Sequence, residues 1–123
     1  MDANRRQQLT AFLKQLGLEP PAGLTDQQLL PLEQALTHTS AGRPYNHEQL
    51  EFLGDAVLRL AASEFLEQAQ PQRNVGQRSA LRAQLVSDRW LAELGETCGI
   101  ESVLRIGAVA AGDHTGRATL RAE

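Results

Sequence analysis

The apolar residues of this 123-residue chain recur at helical spacing, and no segment alternates apolar and polar side chains convincingly as a half-buried strand does. The aromatic residues are Phe12, Phe52, Phe65, Tyr45 and Trp90. A core must therefore be assembled mainly from Leu, Ala and Val, a composition that favours packed helices over a sheet. The expected fold class is all-α. At this length one domain, residues 1–123, suffices to bury a modest core.

Leu9, Phe12, Leu13 and Leu16 predict a helix over residues 4–16, with Gly17 as its stop. The segment EPPAG (residues 19–23) is a turn or loop, because consecutive prolines cannot continue a helix. Thr25 or Asp26 can cap a second helix carrying Leu29, Leu32, Ala35 and Leu36, although Pro31 also suits a first-turn position and so offers a later start. A polar connection then leads to a long helix from about His47 to Ala69, whose apolar side is Leu50, Leu53, Val57, Leu60 and Ala61. A loop over 70–76, one long helix from about Gln77 to Thr97, and a short apolar element closed by Gly107 complete the regular part. The tail starts with small, flexible residues and regains helical character only at its end.

Composition narrows the chemistry. The single cysteine, Cys98, excludes an intramolecular disulfide and a thiolate metal cluster. No apolar run approaches the roughly 20 residues that span a bilayer, and no secretory leader opens the chain, so a cytoplasmic protein is expected. A net charge of −3 argues mildly against simple electrostatic coating of nucleic acid.

Within the long helix, Glu48, Glu51 and Asp55 stand at i, i+3 and i+7, inside an arc of roughly 60° on one face. Each like-charge pair costs on the order of 0.2–0.5 kcal/mol. The ordinary explanation is a solvated acidic face, with Arg59 offering partial relief four residues after Asp55. Phe52, beside the stripe, does not suit such a face. A divalent cation resolves the repulsion: Mg²⁺ takes oxygen ligands, usually one or two carboxylates plus waters, and activates water for attack on a phosphodiester.

The run HEQLEFLGDAVL (residues 47–58) resembles the ribonuclease III signature, with Leu50 to Asp55 matching without a gap and Glu48 matching its first acidic residue. ALTHTS (residues 35–40) resembles the segment that precedes the signature, and LRAQLVSDRWLAEL (residues 81–94) resembles the next helix. The resemblance, over about residues 30–123, implies an all-helical, homodimeric, Mg²⁺-dependent endonuclease (Mn²⁺ substituting) that cleaves double-stranded RNA in RNA maturation. By position it makes Asp55 the catalytic carboxylate and Glu51 a metal ligand that shares the catalytic role, with Asp55 as second ligand and Glu48 an auxiliary acid of the same metal cluster. Phe52 matches an aromatic that packs into the partner subunit. His38 and Ser40 match residues near the site, where a helix-end histidine more often caps or packs than catalyses. His47 replaces the family's usual asparagine and is assigned no chemistry.

Three departures accompany the resemblance. Glu123 stands opposite an Asp that the family supplies from a second helix, so a ligand role for Glu123 is expected, but the family's following Glu has no counterpart before the chain stops. Val75 stands where the family has a Glu before Gly76. No double-stranded-RNA-binding domain follows. The chain is thus expected to be a domain missing its last part, either a fragment of a longer enzyme or a truncation that keeps the fold as a non-catalytic RNA-binding or dimerisation module.

Arg78, Arg82 and Arg89, at i, i+4 and i+11 of the predicted 77–97 helix with Arg73 upstream, form a row suited to successive phosphates. A solvated face paired with Asp88 or Glu93 explains the same row. Trp90, Leu91 and Leu94 are expected in the core rather than stacked on bases, since A-form RNA is recognised by shape and backbone.

Overall fold

The computed structural model describes residues 1–108, 112 and 116–123. Their secondary structure is helical, with one isolated parallel bridge between Thr37 and Arg105. The helices are α1 (Ala3–Gln15), α2 (Asp26–Ala35), α3 (Glu48–Ala69), α4 (Val75–Leu85), α5 (Asp88–Cys98) and α6 (Arg117–Ala122), with short 3-10 turns at Thr39–Ala41 and Ile100–Ser102. None is long and apolar enough to cross a membrane. Of the expected flexible start of the tail, residues 109–111 and 113–115 lie outside the described residues.

Local chemistry sets the helix starts. Thr25 and Gln28 form a reciprocal capping box that fixes the beginning of α2 at Asp26. Pro31 therefore lies inside the helix, not at its start; it forfeits one backbone bond but does not displace the cap. Asn74 and Gln77 form a second capping box, so α4 begins at Val75, two residues before the expected start. The single helix predicted over 77–97 is two helices. Ser87 adopts extended backbone angles (φ −70°, ψ 148°), and its hydroxyl accepts the Trp90 N–H at 3.2 Å, ending α4 and restarting the chain as α5.

The core joins α1, α2 and the segment after α5: Leu9, Phe12, Leu29, Leu36 and Val103 are buried together, flanked by Leu13, Leu32, Ile100 and Leu104. Through this core runs a charged tie. Arg5 on α1 donates to Glu33 on α2 at 2.7 and 3.1 Å and to the Val103 carbonyl at 2.7 Å, while Arg105 donates to Glu33 at 2.6 Å. Around the bridge, His38 N–H donates to the Arg105 carbonyl and Arg105 N–H to the Leu36 carbonyl, both at 2.8 Å. The polar connection after α2 is thereby held against residues 103–107. Gly107 N–H donates to Ser40 Oγ at 2.9 Å, and a Cβ at Gly107 would collide with the Ser40 carbonyl oxygen, a backbone atom that cannot swing away. Gly107→Ala should cost about 1–3 kcal/mol by overpacking, measured as a shift in the denaturant midpoint at unchanged slope.

Helix α6 lies on α5 because Gly95 has no side chain: a Cβ there would meet the Arg121 carbonyl oxygen at 3.0 Å and Ile100 Cγ2 at 3.2 Å. Glu101 holds α6 in place by accepting from Arg121 at 2.7 Å and Arg117 at 3.3 Å. The Arg121 hydrogen bond, outweighing partial burial and aided by the Arg117 charge, keeps the Glu101 carboxyl below its ordinary value.

Two apolar expectations change. Trp90 and Leu94 are about half exposed, and α5 buries Ala92 and Gly95 instead, because α6 approaches over the small residues. On α3, Leu53, Val57, Leu60 and Phe65 are exposed, and the buried residues are Ala62 and Leu66, on the stretch packed against α4.

Candidate metal centre

The start of α3 and the end of α6 face one another across an open groove of about 850 Å³, lined among others by Glu48, Glu51, Phe52, Asp55, Asp88 and Glu123. Carboxylates far apart in sequence thus border one space. Glu48 N–H donates to Asn46 Oδ1 at 3.0 Å, tying the helix start to the preceding turn. Asp55 accepts from Arg59 at 3.3 Å, the relief expected from an i,i+4 partner, and both side chains remain well exposed. The pair contributes little to stability in that setting. Phe52 is 81% exposed on the same turn of helix.

A histidine stands between the two halves. His47 is buried at the N-terminal cap of α3; Glu51 Oε2 lies 3.3 Å from its Nδ1 and Glu123 Oε2 lies 3.8 Å from its Nε2. Neither contact has hydrogen-bond geometry, so both ring nitrogens are buried without a hydrogen-bond partner. His38 stacks on His47, with ring centroids 5.3 Å apart and planes at 20°. His38 Nε2 lies 3.5 Å from Glu123 Oε2, and its Nδ1 faces Ser40, receiving the backbone N–H at 3.1 Å and lying 2.7 Å from the hydroxyl. Among the described residues, His38, His47 and Glu123 form the one group of three potential ligands whose donor atoms all lie within 4.8 Å of one another.

Residues 26–122 match the family model described as Ribonuclease-III-like. The chain belongs to the ribonuclease-III-like family. It is 55% identical over 92 residues to a Ribonuclease 3 of Prochlorococcus marinus, covering 75% of this chain and 37% of that protein. It is 47% identical over 120 residues to a Ribonuclease 3 2 of Synechocystis, covering 98% of this chain and 48% of that protein. The chain therefore spans less than half the length of these curated relatives. Among solved structures it is similar to the nuclease domain of ribonuclease III from Campylobacter jejuni, with a TM-score of 0.74, 30% identity, and coverage of 90% of this chain and 74% of that one. That structure concerns flexibility in a region involved in dimer formation.

The chain brings two histidines to the Glu123 carboxylate, at 3.5 and 3.8 Å, and one of them, His47, was assigned no chemistry from the sequence. The available signal was its spacing: His47 precedes Glu51 by four residues, which places them on one helical face. Ser40, expected near the site, acts through His38 and through Gly107. The arginine row does not survive as a row. Arg78 and Arg82 lie on α4, whereas Arg89 lies on α5 beyond the Ser87 break, exposed and 3.6 Å from Glu93. Arg82 donates to Ser63 Oγ at 3.0 Å, bracing α4 against α3, and Arg73 donates to Gln70 at 2.9 Å. Val75, at the family's Glu position, is exposed at the start of α4 and adds no charge.

Proposed function

We propose that the chain is the nuclease domain of an endoribonuclease of ribonuclease III type, cleaving double-stranded RNA with Mg²⁺ (or Mn²⁺) during RNA maturation in the cytoplasm. The observation that carries this reading is the single open groove bordered by Glu48, Glu51 and Asp55 from α3 and Glu123 from the end of α6, in a chain of the ribonuclease-III-like family. A groove lined by several carboxylates with room for water suits Mg²⁺, which keeps several waters and asks for only one or two carboxylates. Glu51 and Asp55 would hold the ion, with Glu123 across the groove and Glu48 at its rim. The bound ion would lower the pKa of its water and offset charge on the phosphate.

The protein's own groups do the rest. The i,i+4 spacing of Glu51 and Asp55 fixes both carboxylates on one rigid turn. Arg59 pairs with Asp55 and orients it without burying it. Arg73 and Arg78, at the α3–α4 junction, supply phosphate contacts for an RNA backbone, with Arg82 retaining N–H donors beyond the one given to Ser63; Arg89, on α5, contributes from a separate surface. The test is incubation with labelled double-stranded RNA and Mg²⁺: cut products carrying 5′-phosphates support the reading, and binding without cleavage under any divalent ion supports the non-catalytic module instead.

The same reading includes a homodimer. Phe52, Leu53, Val57 and Leu60 leave an apolar face on α3 uncovered within one chain, larger than scattered surface residues account for. Phe52→Ala should weaken self-association by about 2 kcal/mol or more, roughly 30-fold in Kd, as for a buried aromatic anchor. An unchanged sedimentation profile across the concentration range would remove Phe52 from the interface.

A further inference from the structure

We infer that His38, His47 and Glu123 form a second cation site, adjoining the carboxylate groove and sharing Glu123 with it, and selective for transition-metal ions such as Zn²⁺ or Co²⁺. Two imidazoles and a carboxylate are a donor set that Mg²⁺ disfavours and that Zn²⁺, Co²⁺ and Ni²⁺ favour. His38 Nε2 and His47 Nε2 approach Glu123 Oε2 to 3.5 and 3.8 Å. Ligands at about 2.0–2.1 Å from a tetrahedral ion stand roughly 3.4 Å apart, so the two nitrogen–carboxylate distances are already near those of a closed site, and the three donor atoms all lie within 4.8 Å of one another. The rings now stack, and the closure tilts their Nε2 edges together.

The surroundings point to a ligand rather than to packing. His47 is buried, and neither of its nitrogens has a hydrogen-bond partner, an unfavourable state for a buried polar group. An ion on Nε2 removes one deficit, and the other nitrogen already faces a carboxylate: with Nδ1 protonated toward Glu51, 3.3 Å away, His47 becomes the middle of a carboxylate–imidazole–metal series. For His38 Nε2 to ligate, its proton must move to Nδ1, which then gives up the Ser40 backbone N–H it accepts at 3.1 Å and donates to Ser40 Oγ, 2.7 Å away and fixed by the Gly107 N–H. One side of the cluster opens on an apolar cavity of about 370 Å³ lined by residues such as Leu32, Leu91 and Leu104, which lowers the local dielectric around the ion. The other side meets the carboxylate groove through His47 and Glu123. Because Glu51 contacts His47, occupancy of this site also orients a carboxylate of that groove.

The site does not depend on RNA cleavage, and its test reads binding directly. Titration of the metal-free protein with Co²⁺ should give visible d–d absorption of a low-coordinate ion at one ion per chain, persisting in excess Mg²⁺. His47→Asn and Glu123→Gln should each weaken Co²⁺ binding by about 100-fold or more, above the 10–100-fold typical of changes outside the ligand set. Glu123 lies at the end of α6, away from the core, so its variant keeps the fold if His47→Asn does not. Asp55→Asn should leave the Co²⁺ spectrum unchanged. Absence of the spectrum, its persistence in Glu123→Gln, displacement by Mg²⁺, or its loss in Asp55→Asn would each overturn the assignment, the last two placing the ion in the carboxylate groove.

Discussion

Glu33→Gln will destabilise the fold by about 3–5 kcal/mol, the range for removing one partner of a buried ion pair. Glu33 is only 3% exposed and, among the described residues, is the carboxylate that pairs with both Arg5, itself 7% exposed, and Arg105. Glutamine is close to isosteric, so packing of α1 on α2 is retained; the charge is lost, and one acceptor oxygen becomes an NH₂ donor facing the guanidinium groups. Arg5 then stays buried against a neutral amide, with the Val103 carbonyl as its remaining strong acceptor. The same carboxylate gives the fold its acid sensitivity. Burial tends to raise the Glu33 carboxyl, but hydrogen bonds and charge from Arg5 and Arg105 outweigh it, and its pKa lies below the ordinary 4.5. A group depressed on folding contributes fully above its unfolded value and loses that contribution as pH falls through the folded one. Stability of the wild-type chain should therefore fall as pH drops below about 4.5, and Glu33→Gln should flatten that slope. Chemical denaturation at pH 7 and at pH 3–4 measures both effects; equal pH slopes in the two proteins would remove Glu33 from this role.

The network that ties the core together was not legible in the sequence, and the reason is physical. Arg5, Glu33 and Arg105 are separated by tens of residues, so no local periodicity marks them as partners. Helix existence, by contrast, is a local property: Gly17 ends α1 with φ 82°, and the apolar spacing of Leu9, Phe12 and Leu13 places that helix correctly. The break at Ser87 was local as well, but continuous apolar periodicity through Leu81, Leu85 and Leu91 hid a capping signal, Ser87 followed by Asp88. That one misreading placed Arg89 on the same face as Arg78 and Arg82. The carboxylate stripe was legible because a helix fixes its own angular order. That Glu123 borders the same groove depended on Gly95, whose missing Cβ admits α6, and the pairing of His47 with His38 depended on the bridge between Thr37 and Arg105. Both are tertiary facts.

Asp55→Asn should lower RNA cleavage by on the order of 10²–10³-fold while leaving stability within about 0.5 kcal/mol of wild type. The two halves of this expectation come from one geometry. Asp55 is 63% exposed and contacts Arg59, 57% exposed, so its structural contribution is that of a surface pair, and the amide also relieves repulsion from Glu51 one turn earlier. Any lost activity is then chemical and not a consequence of unfolding. Asp55 is a sharper choice than Glu51 for this purpose. Glu51 contacts His47, and its replacement would disturb the buried imidazole together with the groove. Glu123 is shared between the groove and the histidines, so its variant also mixes two effects. Asp55 is the groove carboxylate whose contacts are confined to its own helix. Raising Mg²⁺ should recover part of the loss if asparagine weakens ion binding, and none of it if the ion binds normally but the carboxylate is needed in the transition state. Single-turnover rates across a Mg²⁺ series separate these outcomes, with urea denaturation as the stability control. Equal cleavage by wild type and Asp55→Asn, or equal absence of cleavage, would remove Asp55 from the chemistry.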